Sequence, residues 1–167
     1  VLDSIHGKGT FVINDQVVPG NQGISRFTSA DFQDIKKVLE FRRLIEPEAC
    51  YMATQSADIQ IVDRLRELLN HMVDQVGNQD AFVQADIDFH LELCRSSGNP
   101  LILKCMEMVY TENRNDFTLI NDQFGYKDGI YYHTLIYKAI EEGNAELARD
   151  YMQEHLRQAL DRMEIEQ

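Results

Sequence analysis

Three of the five histidines fall on the apolar stripes of helical patterns. A helix shows the same face every three to four residues, so neighbours at those spacings tell where a side chain points. His90 shares its stripe with Phe82, Asp86, Phe89 and Leu93. His133 is flanked at that spacing by Ile130, Ile136, Tyr137 and Ile140, and His155 by Ala148, Tyr151, Met152 and Ala159. All three are expected to project into a helical interior. Asp86 lies one turn before His90 on the same face, so the two can converge on one point. A carboxylate taken out of water is costly unless a cation meets it. Three imidazoles and one carboxylate from three helices suit a divalent transition metal, with positions left for water or a further ligand. From spacing alone two plainer readings stand beside it: histidines satisfied as core residues, and an ordinary buried Asp86–His90 ion pair.

The other chemistry-bearing residues give weaker patterns. Arg42 falls in the stripe Val38, Leu39, Arg42, Ile45 and is the one basic residue expected to point inward. An inward guanidinium needs an anion, either Glu46 four residues on or the carboxylate of a bound ligand. His71 shares its face with Arg64, Glu67, Asp74 and Gln75 and reads as a surface side chain, while His6 lies in an N-terminal loop. Cys50, Cys94 and Cys105 have no CxxC spacing and read as reduced thiols in helical cores. HExxH, GxGxxG, P-loop and GxSxG patterns are lacking. Asp88 and Glu92 flank the histidine helix at positions turned away from Asp86 and His90. Glu112, Asn113 and Arg114 put polar groups midway along an apolar stretch, either lining a cavity or facing water.

The elements that must position these residues follow from punctuation. Residues 1–28 hold four of the nine glycines, and Gly7-Lys8-Gly9 feeds the β-branched and aromatic run Thr10–Ile13, which reads as a strand or half-hairpin. From Pro19 to Phe27 the composition is that of a linker. Beyond it the pattern is helical throughout. Ser29 is expected to cap a first helix reaching Thr54, with a kink at Glu46-Pro47. Asp58 opens a second, ending near Gly77-Asn78, and a third spans about Asp80 to Ser96. Gly98-Asn99-Pro100 supplies a C′ glycine, an N-cap and a first-turn proline in succession. A fourth helix is expected over about Leu101–Ile120, a fifth over about Lys127–Glu142 closed by Gly143, and a sixth capped by Asn144. The fold class is therefore all-α, an antiparallel bundle of six to seven helices behind a short β appendage.

Bulk properties limit the partners. The 167 residues amount to one domain, or one domain and a fragment. A chain of this length buries about two-thirds of its unfolded surface, enough to fold without disulfide or structural metal. The net charge is −12, which repels phosphate backbones and anionic membranes. No window approaches the roughly 18 uncharged apolar residues of a membrane span, and no signal peptide is seen, so a cytoplasmic protein is expected.

Taken in order, the stretch Arg42-Arg43-Leu44-Ile45-Glu46-Pro47-Glu48-Ala49, then Asp86-Ile87-Asp88-Phe89-His90 with Ser97-Gly98-Asn99-Pro100, then His133 with Ala139-Ile140, Gly143-Asn144 and Met152-Gln153-Glu154-His155-Leu156, resembles a known family. It is similar to the FCD domain, the C-terminal effector-binding domain of FadR-type regulators in the GntR family, over about residues 29–163. Ile5-His6-Gly7-Lys8-Gly9-Thr10-Phe11-Val12 resembles the last wing strand of the winged helix-turn-helix that precedes this domain. The resemblance implies the remnant of a DNA-binding domain at 1–18, with Lys8 as a DNA contact, a linker at 19–28, and an effector domain at 29–167. It implies a metal held by Asp86, His90, His133 and His155, zinc foremost, with nickel or manganese also suited. It further implies Arg42 orienting a small carboxylate or sugar-acid effector, homodimerisation, and DNA binding only through the N-terminal domain that this sequence lacks. Ala53-Thr54 stands where two small alanines are usual, and 121–129 gives no pattern to align. Two rival readings remain: a mononuclear metal-dependent hydrolase, which lacks a well-placed general base, and a metal-free dimerisation module.

Overall fold

The protein is described by a computed structural model at residues 2–5, 9–12 and 29–165. Strand β1 (Leu2–Ile5) pairs antiparallel with β2 (Gly9–Val12), Leu2 opposite Val12 and Ile5 opposite Gly9. Lys8, His6 and the expected linker at 19–28 lie outside the described residues. A single 3-10 turn at Ser29–Phe32 leads into seven helices: α1 (Ile35–Ser56), α2 (Ile59–Asp74), α3 (Gln79–Ser96), α4 (Pro100–Glu112), α5 (Arg114–Phe124), α6 (Tyr126–Glu141) and α7 (Ala145–Ile165). The all-α bundle is the expected class.

Most helix starts are the expected ones, because short polar side chains satisfy the free N–H groups of a first turn. Asp58, Asn99 and Asn144 accept from the backbone N–H of Ile61, Leu101 and Leu147. Gly98 and Gly143 end α3 and α6 at φ 73° and 70°, the left-handed conformation that a Cβ disfavours.

Two boundaries differ from the sequence reading. Ser29 opens the 3-10 turn rather than α1, and Asp34 caps α1 by accepting from Lys36 and Lys37. An ionised carboxylate is the stronger acceptor and also favours the positive end of the helix dipole. The single fourth helix expected over 101–120 is two helices broken at Asn113. That residue is fully buried, and its side-chain amide donates to the Val109 carbonyl oxygen, the same oxygen that accepts its backbone N–H. A side chain that competes for a helical carbonyl in this way favours a local break. Glu112 faces water. Pro47 removes one helical donor yet α1 continues to Ser56.

α1 packs along α7 and crosses α3; α6 lies against α7 and α2, and α4 and α5 cover α3. Two apolar clusters result. One joins the C-terminal half of α1 to α2, α3, α6 and α7 around Phe82, Phe89, Met72 and Met152. The other joins the N-terminal half of α1 to α3, α4 and α5 around Leu39, Ile87, Met106 and Phe117. Along α1, Arg42 and Glu46 fall between Leu39 of the second cluster and Cys50 of the first. The polar centre of the molecule is therefore the seam between two cores. Cys50 and Cys94 are buried free thiols and Cys105 is partly exposed.

Truncating Met152, which is fully buried, to alanine should cost about 2–5 kcal/mol in urea unfolding. The same change at Leu119, which is 64% exposed on α5, should stay within about 0.5 kcal/mol. Equal losses at the two positions would contradict this placement of the core.

Candidate metal and effector site

Three helices bring the inward histidines together. The ring nitrogens of His90 on α3, His133 on α6 and His155 on α7 lie within 4.8 Å of one another. His90 Nε2 and His133 Nε2 are 3.0 Å apart. The rings are held by packing: Phe89 stacks on His133 at 4.6 Å between centroids, and His90 stacks on His155 at 5.4 Å. Asp86 Oδ1 lies 3.6 Å from His133 Nε2, and the side chain keeps 25% of its surface exposed. Asp86 thus borders the cluster next to His133, and the ion pair to His90 that the i, i+4 spacing allowed is made instead by Glu46.

Glu46 is the residue that sequence reasoning left as a plain partner of Arg42. Its side chain is 1% exposed. Oε1 accepts from Arg42 Nε at 2.6 Å and from the Tyr110 hydroxyl at 2.9 Å. Oε2 lies 2.5 Å from His90 Nδ1 and 3.4 Å from Arg42 Nη2. The His90 contact is close but lies outside hydrogen-bond direction. The guanidinium is sandwiched between the Tyr110 and Phe117 rings, at 4.8 and 4.9 Å from their centroids. The Arg42–Glu46 spacing was visible on one helix; contacts to His90 and Tyr110 cross to α3 and α4 and leave no local pattern.

The electrostatics follow from burial. Desolvation opposes the Glu46 charge, but Arg42 and then His90 outweigh it and hold the carboxyl well below its usual range. Burial likewise opposes the Arg42 charge, and Glu46 more than offsets it, so its pKa is raised. Burial raises Asp86. Burial first, then the His90 and Arg42 charges, holds His133 and His155 well below the ordinary 6.5. Both are neutral imidazoles at pH 7, the form that binds a metal.

The fit to a metal can be judged from the nitrogens themselves. His133 Nδ1 is 3.2 Å from the Met72 sulfur and His90 Nδ1 faces Glu46, and neither partner can donate a proton. Glu46 beside His90 Nδ1 favours a proton there, His133 Nδ1 faces only a weak thioether acceptor, and the two Nε2 atoms face each other with donor and acceptor roles set by the tautomer. Two ring nitrogens 3.0 Å apart are joined either by an N–H···N hydrogen bond or by a cation held between them. His155 brings a third imidazole to the group, three side chains that could hold a metal ion, and Asp86 lies next to His133.

Next to the histidines is a cavity of about 100 Å³ bordered by Arg42, Asp86, His155, Tyr132 and Gln158. Gln158 donates to the Tyr132 hydroxyl at 2.6 Å, and Arg162 pairs with Asp128 across α7 and α6. Arg42 Nη1 makes no hydrogen bond among the described residues. Asp88 and Glu92 are engaged with Gln84 and Arg95, away from the cluster, and His71 is exposed on α2.

Residues 37–158 match the family model for the FCD domain. The chain is 24% identical over 162 residues to the HTH-type transcriptional regulator LutR of Bacillus subtilis, covering 93% of this chain and 74% of that protein. It is 24% identical to the galactonate operon transcriptional repressor of Escherichia coli (68% of this chain, 51% of that one). It is 29% identical to the Uxu operon regulator of Haemophilus influenzae (72% and 47%). Among solved structures, Streptococcus agalactiae GntR superposes with a TM-score of 0.69 at 24% identity, covering 97% of this chain and 74% of that one. E. coli McbR/YncC gives 0.67 at 16%, covering 79% and 65%. These relatives are named as regulators of transcription, which sets the hydrolase reading aside. With the family model covering most of its helical part, the chain belongs to the FCD domain family.

Proposed function

We propose that this chain is the metal-dependent sensory part of a cytoplasmic, homodimeric DNA-binding regulator. The observation that carries the reading is the meeting of three imidazoles from three helices with ring nitrogens within 4.8 Å of one another, Asp86 Oδ1 lying 3.6 Å from His133 Nε2. His90, His133, His155 and Asp86 would hold one divalent transition metal. When bound, that ion supplies open positions for an oxygen ligand. The adjoining cavity suits a small carboxylate or sugar acid, with Arg42 Nη1 as the cationic contact from the protein. The chain spans about half the length of two of the curated relatives it matches. DNA binding is accordingly assigned to an N-terminal winged helix-turn-helix, with Lys8 in its wing.

The physical basis for sensing is that the four ligands come from α3, α6 and α7, which meet along the seam of two cores. An effector shifts the arrangement only by its differential affinity for alternative packings of those helices. Well-packed interiors deform in steps rather than continuously, so a modest change at the ligands can be felt at the N-terminal end of α1.

Elemental analysis of protein purified without chelator or a histidine tag should find about one transition-metal ion per chain. A His90→Ala/His133→Ala double variant should hold none. No ion in either sample, and no thermal shift on adding zinc, nickel or manganese, would sink the reading. With zinc at about 100 times its Kd, the apparent stability should rise by about 2.7 kcal/mol, and EDTA should reverse it. Small hydroxy acids should add a further thermal shift in the zinc-loaded chain and none after EDTA.

The metal-free chain should also be acid-sensitive in a defined direction. His133 and His155 stay neutral in the folded state, while the unfolded chain takes up their protons below about 6.5. Unfolding then binds more protons, so stability falls as the pH drops from 7 towards 5. A urea midpoint that does not change over that interval would show that these rings are not desolvated as described.

A further inference from the structure

We infer that Glu46 is a positioning residue for the metal centre, one carboxylate that sets both which nitrogen His90 offers and where Arg42 stands. The inference rests on the metal reading for its consequence, though not for its geometry. Glu46 belongs to α1, the long helix that contributes none of the four proposed ligands. Its two oxygens face different groups. Oε2 sits 2.5 Å from His90 Nδ1, on the far side of the ring from the histidine cluster. Oε1 takes the Arg42 Nε–H and the Tyr110 O–H.

The chemistry of each partner fixes the outcome. A carboxylate can only accept, so the His90 proton is held on Nδ1 and the Nε2 lone pair is directed at His133. A guanidinium can only donate, and Arg42 Nη2 lies 3.5 Å from that same Nε2. That contact is long and weak, but its sense agrees: Nε2 accepts. A ligand imidazole whose second nitrogen is held by a carboxylate is oriented before the ion arrives and is a better electron donor. Arg42 borders the cavity, and its Nε bond to Glu46 sets where the guanidinium stands. Metal affinity and the anion contact thus depend on one side chain, whose own position is fixed by Tyr110 from α4.

Three groups that could play this part instead are otherwise engaged or misplaced. Asp86 lies nearest His133. Tyr110 touches Glu46 rather than His90 by hydrogen bond. Cys50, the next buried polar group along α1, has its thiol pushed up by burial and then by the Glu46 charge, so it is neutral.

Two measurements on the 167-residue chain test this. Long-range nitrogen–proton NMR of the histidine rings, in metal-free and zinc-loaded wild type, should show His90 with its proton on Nδ1 in both. Zinc affinity by chelator competition should then fall in the order wild type, Glu46→Gln, Glu46→Met. The Met variant, of similar length but with no acceptor, should lose about 10–100-fold, and the Gln variant should recover part of that through its carbonyl oxygen. A His90 proton on Nε2 in the wild type would overturn the inference, and so would a folded Glu46→Met variant binding zinc within about threefold of wild type. The NMR result decides the matter if the Met variant does not fold. Wild type that binds no zinc while showing Nδ1–H on His90 would refute the metal reading and leave the Glu46 placement standing.

Discussion

A carboxylate with 1% of its surface exposed cannot stay ionised in a helical interior without close positive or donating neighbours. Glu46 has Arg42 from its own helix, His90 from α3 and Tyr110 from α4. Removing one member of such a pair costs about 3–5 kcal/mol, because the orphaned charge stays buried. The arrangement is therefore a strong constraint on how α1, α3 and α4 can meet. Other compact packings of these helices would strand at least one charge. This does not make the network a net source of stability, since apolar residues of the same shape could hold the bundle as well. Its retention is better explained by what it positions.

That constraint explains why the interior is two apolar clusters rather than one. Arg42 and Glu46 lie on α1 where its buried residues pass from one cluster to the other, Val38, Leu39 and Ala49 belonging to the second and Cys50 and Ala53 to the first. The histidines occupy the same level on the facing helices. A centre at the seam touches both cores, which is where a ligand-dependent change of packing has most leverage on the whole domain. The break at Asn113 belongs to the same level of the bundle. It redirects the chain after Tyr110, so that Phe117 on α5 can cover the second face of the Arg42 guanidinium.

The acidic surface and the proposed role are compatible for a simple electrostatic reason. A domain with a formal charge of −12 gains nothing by touching DNA, because its surface repels phosphate. Inside, the charges are matched locally: Glu46 by Arg42, Asp128 by Arg162. Burial keeps the His133 and His155 imidazoles neutral.

By itself the sequence determined the helical class, the strand run at the front, most of the caps, and the inward faces of His90, His133 and His155. Those are local properties: a period of 3.6 residues, a short polar side chain before a helix, a glycine after one. It could also place Arg42 inward and name Glu46 as one of its two candidate anions. Only tertiary structure decided that Glu46 also reaches His90, that Asp86 sits by His133 rather than His90, and that Asn113 breaks a helix whose apolar pattern runs on past it. The first two depend on which helices lie side by side and at what height, a matter of packing between residues far apart in sequence, whereas the break at Asn113 turns on a side-chain bond to Val109 that the apolar pattern does not reveal. Helical phase fixes the direction in which a side chain leaves its own axis. What it meets there is set by the neighbouring helix, and a pattern read along one helix does not contain that.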